Sequence, residues 1–101
     1  MLDSAQHRYV SCVTLWEFGI LISLGRIEPN MRLLNVPEGY DLLPITPAHC
    51  EAYAELPMYH RDPFDRMLVA QAQVERLSLL TRDERIAVYG EHATVARYPE
   101  A

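Results

Sequence analysis

The feature that most constrains the fold is the alternation of short, strongly apolar segments with longer segments that begin at helix-start signals. The short segments are rich in β-branched, aromatic or leucine side chains, which is typical of buried strands. They predict strands over residues 9–13, 41–45 and 77–80. Strands that alternate with helices predict an α/β domain with a parallel sheet flanked by helices.

Two of the helix starts are especially clear. Thr46 and Asp62 each precede a proline, and a capping side chain followed by proline at the first helical position is a strong start signal. These signals predict a helix over residues 47–56 and a longer one from Pro63. In the first of these helices we expect the inward side chains to be Cys50, Tyr53 and Ala54.

A third helix is predicted after the first strand. Thr14 occupies an N-cap position and Glu17 follows three residues later, which is the spacing of a capping box. Apolar residues then recur at helical spacing from Leu15, and Gly25 is a candidate for the residue that ends the helix.

The composition is that of a globular domain outside the membrane and the secretory pathway. The longest apolar stretch, residues 18–24, is too short to cross a bilayer, and the first residues do not resemble a secretory signal. Cys12 and Cys50 do not make a disulfide framework, so we expect both to be buried in a reducing compartment, the cytoplasm. The net charge of −5 argues against a broad nucleic-acid-binding surface, although all nine basic residues are arginines, which bind phosphate well.

Three acidic residues fall where a parallel α/β sheet binds its ligands, beyond the carboxyl ends of the strands. Glu17 lies about one helical turn beyond the first predicted strand, Asp65 lies in the first turn of the long helix, and Asp83 follows the third strand. Converging carboxylates can hold Mg²⁺, which prefers hard oxygen ligands.

Each of these acidic residues also has a purely structural interpretation. Glu17 fits a capping box, Asp65 would stabilise a helix N-terminus, and Asp83 fits a turn after a strand. Asp62 is better interpreted as a helix cap than as a ligand. His60, in the loop before it, is interpreted as a packing or hydrogen-bonding residue and not as a general base.

Three blocks of the sequence resemble PIN-domain ribonuclease toxins of the VapC type. They are VSCVTLWEFGILISLGRI (10–27), DLLPITPAHCEAYAELP (41–57) and LPMYHRDPFDRMLVAQAQVERLSLLTRDERIAVYG (56–90). The HRDPFDR motif with its downstream TRD is the specific part of the resemblance, which covers residues 8–90.

The resemblance implies a compact α/β domain that cleaves RNA with Mg²⁺ or Mn²⁺ held by carboxylates. On the matching positions, the catalytic metal ligands would be Glu17, Asp65 and Asp83. The family further implies a VapB-like antitoxin as protein partner and a homodimer. Around this site we expect Thr81 and Asp62 to support the ligands, and RNA phosphates to be contacted by Arg61, Arg66, Arg82 and Arg85.

One family feature is missing, namely the opening strand that ends in the first acidic ligand. Asp3 does not replace that ligand, since it lies only six residues before the strand at Tyr9. We therefore expect residues 1–101 to form a single, partial PIN domain that lacks the first strand and the helices after it, with unpaired sheet edges and with residues 91–101 as an edge strand or loose tail. The alternative to a ribonuclease is an inactive module that binds an antitoxin or its own copy.

Overall fold

A computed structural model describes residues 2–4, 7–29, 34–59, 61–81 and 94–97. Its strands and helices confirm the predicted α/β class. In chain order they are β1 (Leu2–Asp3), β2 (Arg8–Ser11), α1 (Cys12–Ser23), β3 (Asp41–Leu43), α2 (Pro47–Glu55), α3 (Pro63–Glu75), β4 (Ser78–Thr81) and β5 (Thr94–Arg97). None of these helices is long and apolar enough to cross a membrane.

The strands form one sheet in the order β3-β2-β1-β4-β5. β2 pairs with β3 in parallel and β4 with β5 in parallel, whereas β1 is antiparallel to both of its neighbours, β2 and β4. Because β2 and β4 both run opposite to β1, they run in the same direction as each other. Their carboxyl ends therefore meet at one edge of the sheet, and this edge positions the site described below.

The antiparallel strand β1 was not predicted, and the expectation of unpaired edges beside β2 and β4 is wrong within the described residues. A tight hairpin explains the difference: the Ser4 amide donates to the His7 carbonyl oxygen at 2.9 Å and turns the chain back on itself. Leu2 then lies opposite both Tyr9 and Leu79 and is 1% exposed. Burial of this one leucine fills the centre of the sheet.

The hydrophobic core lies between the sheet and α3. Its buried members come from the strands, from the end of α2 and from one face of α3, as alternation and helical spacing require. They are Leu2, Leu43, Leu56, Val69, Ala70, Ala72, Leu77 and Leu79. The small side chains of Ala70 and Ala72 on α3 are buried in this core.

The predicted start of α2 is confirmed; of its three predicted inward residues, Tyr53 packs against the core, whereas the prediction is wrong for Cys50 and Ala54. Thr46 forms a reciprocal capping box with His49, whose amide donates to the Thr46 hydroxyl oxygen while the Thr46 amide donates to His49 Nδ1 at 3.0 Å. Cys50 and Ala54 are exposed, and the fully buried residue is His49. Polar partners on α3 make His49 the buried residue, which a pattern of apolar residues could not indicate.

The end of α1 confirms the prediction made from Gly25. The Arg26 amide donates to the Leu21 carbonyl at 2.9 Å and the Gly25 amide to the Ile22 carbonyl at 3.0 Å, which together form a Schellman motif. Gly25 has a φ of 68°, in the left-handed region that favours glycine.

Two glycine substitutions should therefore act in opposite directions on stability. Gly25→Ala is expected to lower the free energy of unfolding by about 1 kcal/mol, because alanine is strained in the left-handed region. Gly19→Ala places a methyl group in open space within α1, and alanine favours a helix interior over glycine by up to about 1 kcal/mol. Urea unfolding of both variants checks the pair, and a stabilised Gly25→Ala would contradict the assigned helix end.

Candidate active site

The start of α1 lies at the carboxyl end of β2 and is fixed by Ser11. The Ser11 hydroxyl accepts a hydrogen bond from the Val13 amide at 3.0 Å, as a helix cap does, and donates one to Gln71 Oε1 on α3 at 2.5 Å. Ser11 and Gln71 are both buried. This bond ties the first turn of α1 to the middle of α3.

Ser11 also settles the structural alternative for Glu17. The predicted strand over residues 9–13 ends at Ser11 instead, and α1 begins at Cys12, not at Leu15. Thr14 therefore lies inside the helix, and Glu17 lies in its second turn, too far along to form a capping box. The sequence missed this boundary because the partner that holds Ser11 lies 60 residues away on α3.

The start of α3 is built by Asp62, whose predicted role as a cap is confirmed. Asp62 Oδ1 accepts from the Phe64 amide at 2.9 Å and from the Asp65 amide at 3.4 Å. Asp65 consequently lies in the first turn of α3, where a negative charge interacts favourably with the helix dipole. This helix-stabilising role and a ligand role are compatible, because the helix dipole favours the ionised carboxylate, which is the form that binds a metal ion.

An aromatic contact brings the two helices together. The rings of Trp16 and Phe64 meet edge to face, with centroids 5.2 Å apart and an interplanar angle of 67°. Glu17 directly follows Trp16 in α1, and Asp65 directly follows Phe64 in α3. The ring contact thus packs the helix turns that carry these two acidic residues against each other.

Glu17 lies in a partly buried environment and is influenced by two acidic groups of the α3 start. Burial raises the pKa of the Glu17 carboxyl above its ordinary value of 4.5, and the negative charges of Asp62 and Asp65 raise it further. Repulsion of this kind requires carboxylates that lie near one another. Two oxygen donors held in mutual repulsion, Glu17 and Asp65, have the donor chemistry that Mg²⁺ and Mn²⁺ prefer.

The described residues supply only part of the predicted metal centre. Among residues 2–4, 7–29, 34–59, 61–81 and 94–97, no three His, Cys, Asp or Glu side chains form a group that could hold a metal ion. Asp83 lies outside these residues, as do Arg82, Arg85 and His60. Strand β4 ends at Thr81, and the pairing of Leu2 with both Tyr9 and Leu79 puts Thr81 level with Ser11 in the sheet. The chain therefore leaves β4 at the edge where α1 begins.

The two predicted RNA-contacting arginines that the structure describes have different environments. Arg61 is exposed, next to the cap of α3. Arg66 is 5% exposed, and its Nη2 donates to the carbonyl oxygens of Leu56 at 3.0 Å and Tyr53 at 3.5 Å. Its guanidinium also lies 4.4 Å from the centroid of the Tyr53 ring. Arg66 therefore caps the end of α2, and we leave it out of the RNA-contacting set.

A buried polar network braces the site from behind, and sequence reasoning missed most of it. Gln71 Nε2 donates to the Pro44 carbonyl at 3.4 Å and lies 3.4 Å from His49 Nδ1, while His49 Nε2 lies 3.0 Å from Glu75 Oε1. Together with the bond to Ser11, these contacts join β2, β3 and α2 to one helix. A polar glutamine between two alanines on the buried face of α3 is the sequence signal that could have revealed it.

Comparison with known proteins gives the class of this fold and site. The PIN domain family model matches residues 1–91, so the chain belongs to the PIN domain family. Membership of this family implies a nuclease-type function. No curated protein and no solved structure matches the chain.

The raised pKa of Glu17 predicts how stability varies with pH. The folded state holds the Glu17 proton more tightly than the unfolded chain does, so this group's stabilising contribution is present below pH 4.5 and is lost as pH rises through the raised folded pKa. Glu17→Gln removes this loss. Without metal, the free energy of unfolding of the variant should therefore increase relative to that of the wild type as pH rises from acidic to neutral. Urea unfolding across that range measures the difference, with the exposed Glu51→Gln as control. An identical pH dependence in wild type and Glu17→Gln would refute the assigned environment.

Proposed function

We propose that this protein is a metal-dependent endoribonuclease and acts as the toxin of a toxin–antitoxin system of the VapC type. The observation that carries the proposal is the approach of Glu17 on α1 to Asp65 on α3, at the sheet edge where such folds bind ligands, in a chain of the PIN family. The resemblance of the HRDPFDR and TRD motifs supports the finer assignment.

In this proposal Glu17, Asp65 and Asp83 hold Mg²⁺ or Mn²⁺. When bound, the ion supplies Lewis acidity toward the scissile phosphate and the attacking water. Asp83 follows two residues after Thr81, which itself ends β4 at the edge where α1 begins. That connection is the support for Asp83 as the third ligand and for Thr81 as a supporting residue.

The other side chains of the site position the two acidic residues. One carboxylate oxygen of Asp62 accepts hydrogen bonds from two backbone amides, so Asp62 orients the first turn of α3 and thereby Asp65. Ser11 and Gln71 fix the origin of α1 and thereby Glu17. Arg61, together with Arg82 and Arg85, is proposed to contact RNA phosphates, which is consistent with few contacts in a chain of net charge −5.

The proposed partners follow from the same assignment: RNA as substrate, a VapB-like antitoxin, and a second copy of the chain, all in the cytoplasm. Exposed apolar side chains, among them Leu42 and Met58, are available for protein contacts. Size-exclusion chromatography with light scattering tests the homodimer, and co-purification with a co-expressed VapB-like antitoxin tests the protein partner.

Chelation of the metal is the experiment that tests the nuclease. RNA cleavage by the purified protein should require Mg²⁺ or Mn²⁺, stop when EDTA is added, and resume when the metal is restored in excess. The reason is that the proposal assigns to the divalent ion both the activation of the attacking water and the neutralisation of charge that develops on the phosphate. Cleavage that continues in EDTA would contradict the proposal.

A second candidate is a binding module without catalysis, which engages an antitoxin or its own copy. It is favoured by the large apolar side chains that are exposed among the described residues, such as Leu42 and Met58, because exposed apolar surface is typical of a protein-binding face. Calorimetric titration with Mn²⁺ separates the two candidates. Binding that Mg²⁺ competes away supports the nuclease, whereas partner binding with no metal affinity supports the module.

A further inference from the structure

An apolar cavity opens between the helix turns that carry Glu17 and Asp65. It has a volume of about 180 Å³ and lies between the start of α1, the start of α3 and the segment after β3. Its lining side chains are apolar or aromatic and include Val13, Trp16, Ile45, Tyr53, Phe64 and Met67. The Tyr53 ring is held from within the protein by the Arg66 guanidinium.

The size of the cavity restricts what can enter it. An apolar cavity of about 150 Å³ accommodates benzene, whereas pockets for drug-sized ligands begin at about 300 Å³. A cavity of about 180 Å³ therefore matches one planar ring system, not an extended ligand.

Trp16 lines the apolar cavity, yet its side chain is unusually accessible, with 60% of the residue exposed. Its contact with Phe64 covers only part of the indole. Exposed aromatic rings beside a basic or metal-neutralised backbone site are the platforms on which unpaired bases stack. Trp16 and Phe64 also directly precede Glu17 and Asp65, so the cavity lies between the helix turns that carry the acidic pair.

We infer that this cavity receives one unpaired nucleobase of the substrate, from a nucleotide that flanks the scissile phosphodiester. The inference rests on the proposed nuclease function. A base held in a duplex cannot reach such a cavity, so the substrate is single-stranded at this nucleotide.

Charge distinguishes a nucleobase from an apolar side chain of a protein partner. Glu17, Asp62 and Asp65 repel the phosphates attached to a base, and a divalent ion at Glu17 and Asp65 reverses that repulsion. Binding of an oligonucleotide through the cavity must therefore require metal, whereas binding of an uncharged nucleoside must not. An apolar side chain that filled the cavity would give no such contrast.

Fluorescence provides a test that is independent of cleavage, because Trp16 is the single tryptophan of the chain. Each of the four uncharged ribonucleosides is titrated into the full chain without metal, with ribose as control. We expect saturable quenching by at least one nucleoside and none by ribose. If no nucleoside changes the emission of Trp16 up to its solubility limit, the inference is wrong.

Cleavage kinetics provide the second test, with an RNA oligonucleotide and its copies carrying one abasic nucleotide at each position beside the cut. Trp16→Ala should raise KM for the intact RNA by about 5- to 150-fold, the range of one lost stacking interaction. At one position the abasic copy should be cleaved equally by wild type and variant. Trp16→Phe should retain most of the affinity, and Leu24→Ala, an exposed residue at the far end of α1, should behave as wild type.

The outcomes separate the two proposals. Failure of the wild type to cleave any RNA rejects the nuclease, while the fluorescence titration still reports on the cavity. An equal effect of Trp16→Ala on intact and on every abasic RNA rejects the base-binding cavity and leaves the nuclease standing. Loss of antitoxin binding alone in Trp16→Ala assigns the cavity to a protein and also rejects the inference.

Discussion

Asp65→Asn is expected to lower the rate of RNA cleavage by at least about 10²-fold while the protein stays folded. The substitution keeps the size and the position of the side chain but removes the negative charge that would hold the divalent ion. A metal ion contributes several kcal/mol to the stabilisation of transition-state charge, and each 1.4 kcal/mol corresponds to a factor of ten in rate. Single-turnover cleavage of a short RNA at saturating Mg²⁺ or Mn²⁺ measures the effect.

Asp62→Asn is the matched control for Asp65→Asn. Asparagine is as good a helix cap as aspartate, so the start of α3 should persist. The loss of the Asp62 charge removes one source of repulsion on Glu17 without removing a proposed ligand. We therefore expect a much smaller change in rate than for Asp65→Asn. Equal losses in both variants, or full activity in Asp65→Asn, would rule out the separate roles assigned to these two residues.

Arg66→Met is expected to lower the free energy of unfolding by roughly 2–4 kcal/mol. The substitution leaves the carbonyl oxygens at the end of α2 without their charged donor and removes the contact with the Tyr53 ring. Arg66→Lys should recover little of this loss, since an ammonium group lacks the planar, forked donor geometry of guanidinium. Urea unfolding followed by far-ultraviolet circular dichroism gives the free energies.

Arg61→Met provides the control for Arg66→Met, because Arg61 is exposed and carries the same charge. Its effect on stability should stay within about 0.5 kcal/mol, while its effect on RNA affinity should be the larger of the two. The reverse pattern, a stable Arg66→Met with weakened RNA binding, would return Arg66 to the nucleic-acid interface.

Local signals in the sequence correctly predicted the starts of α2 and α3. Thr46 and Asp62 accept hydrogen bonds from backbone amides two or three residues away, so the neighbouring sequence is enough to predict their capping role. The same holds for Gly25, whose left-handed conformation ends α1. Capping is local physics, and a single sequence is enough to find it.

Features that depend on distant partners were not predictable in this way. Ser11 ends β2 because its hydroxyl donates a hydrogen bond to Gln71 on the distant helix α3. His49 is buried because Gln71 and Glu75 of α3 are its polar partners. Arg66 carries the positive charge of a phosphate-binding residue, yet its guanidinium donates a hydrogen bond to the Leu56 carbonyl oxygen at the end of α2. Strand β1 is only two residues long and is stabilised by pairing on both sides, not by its own pattern.

The site itself was predicted in part. The residue types and their places beyond the strands indicated Glu17 and Asp65, and the structure brings these two residues near each other at the starts of α1 and α3. The prediction that they share one divalent ion with Asp83 stays a prediction. The basis of this prediction is that burial and then the charges of Asp62 and Asp65 raise the pKa of Glu17, and a divalent cation would offset the effect of those charges.

The pKa of the Glu17 carboxyl, measured by NMR with and without Mg²⁺, tests this most directly. In the absence of metal the carboxyl should titrate above 4.5, as burial and its acidic neighbours require. With saturating Mg²⁺ the apparent pKa should fall clearly, and Asp65→Asn should abolish the effect of the metal. An unchanged Glu17 titration at saturating Mg²⁺ would contradict the proposed metal centre.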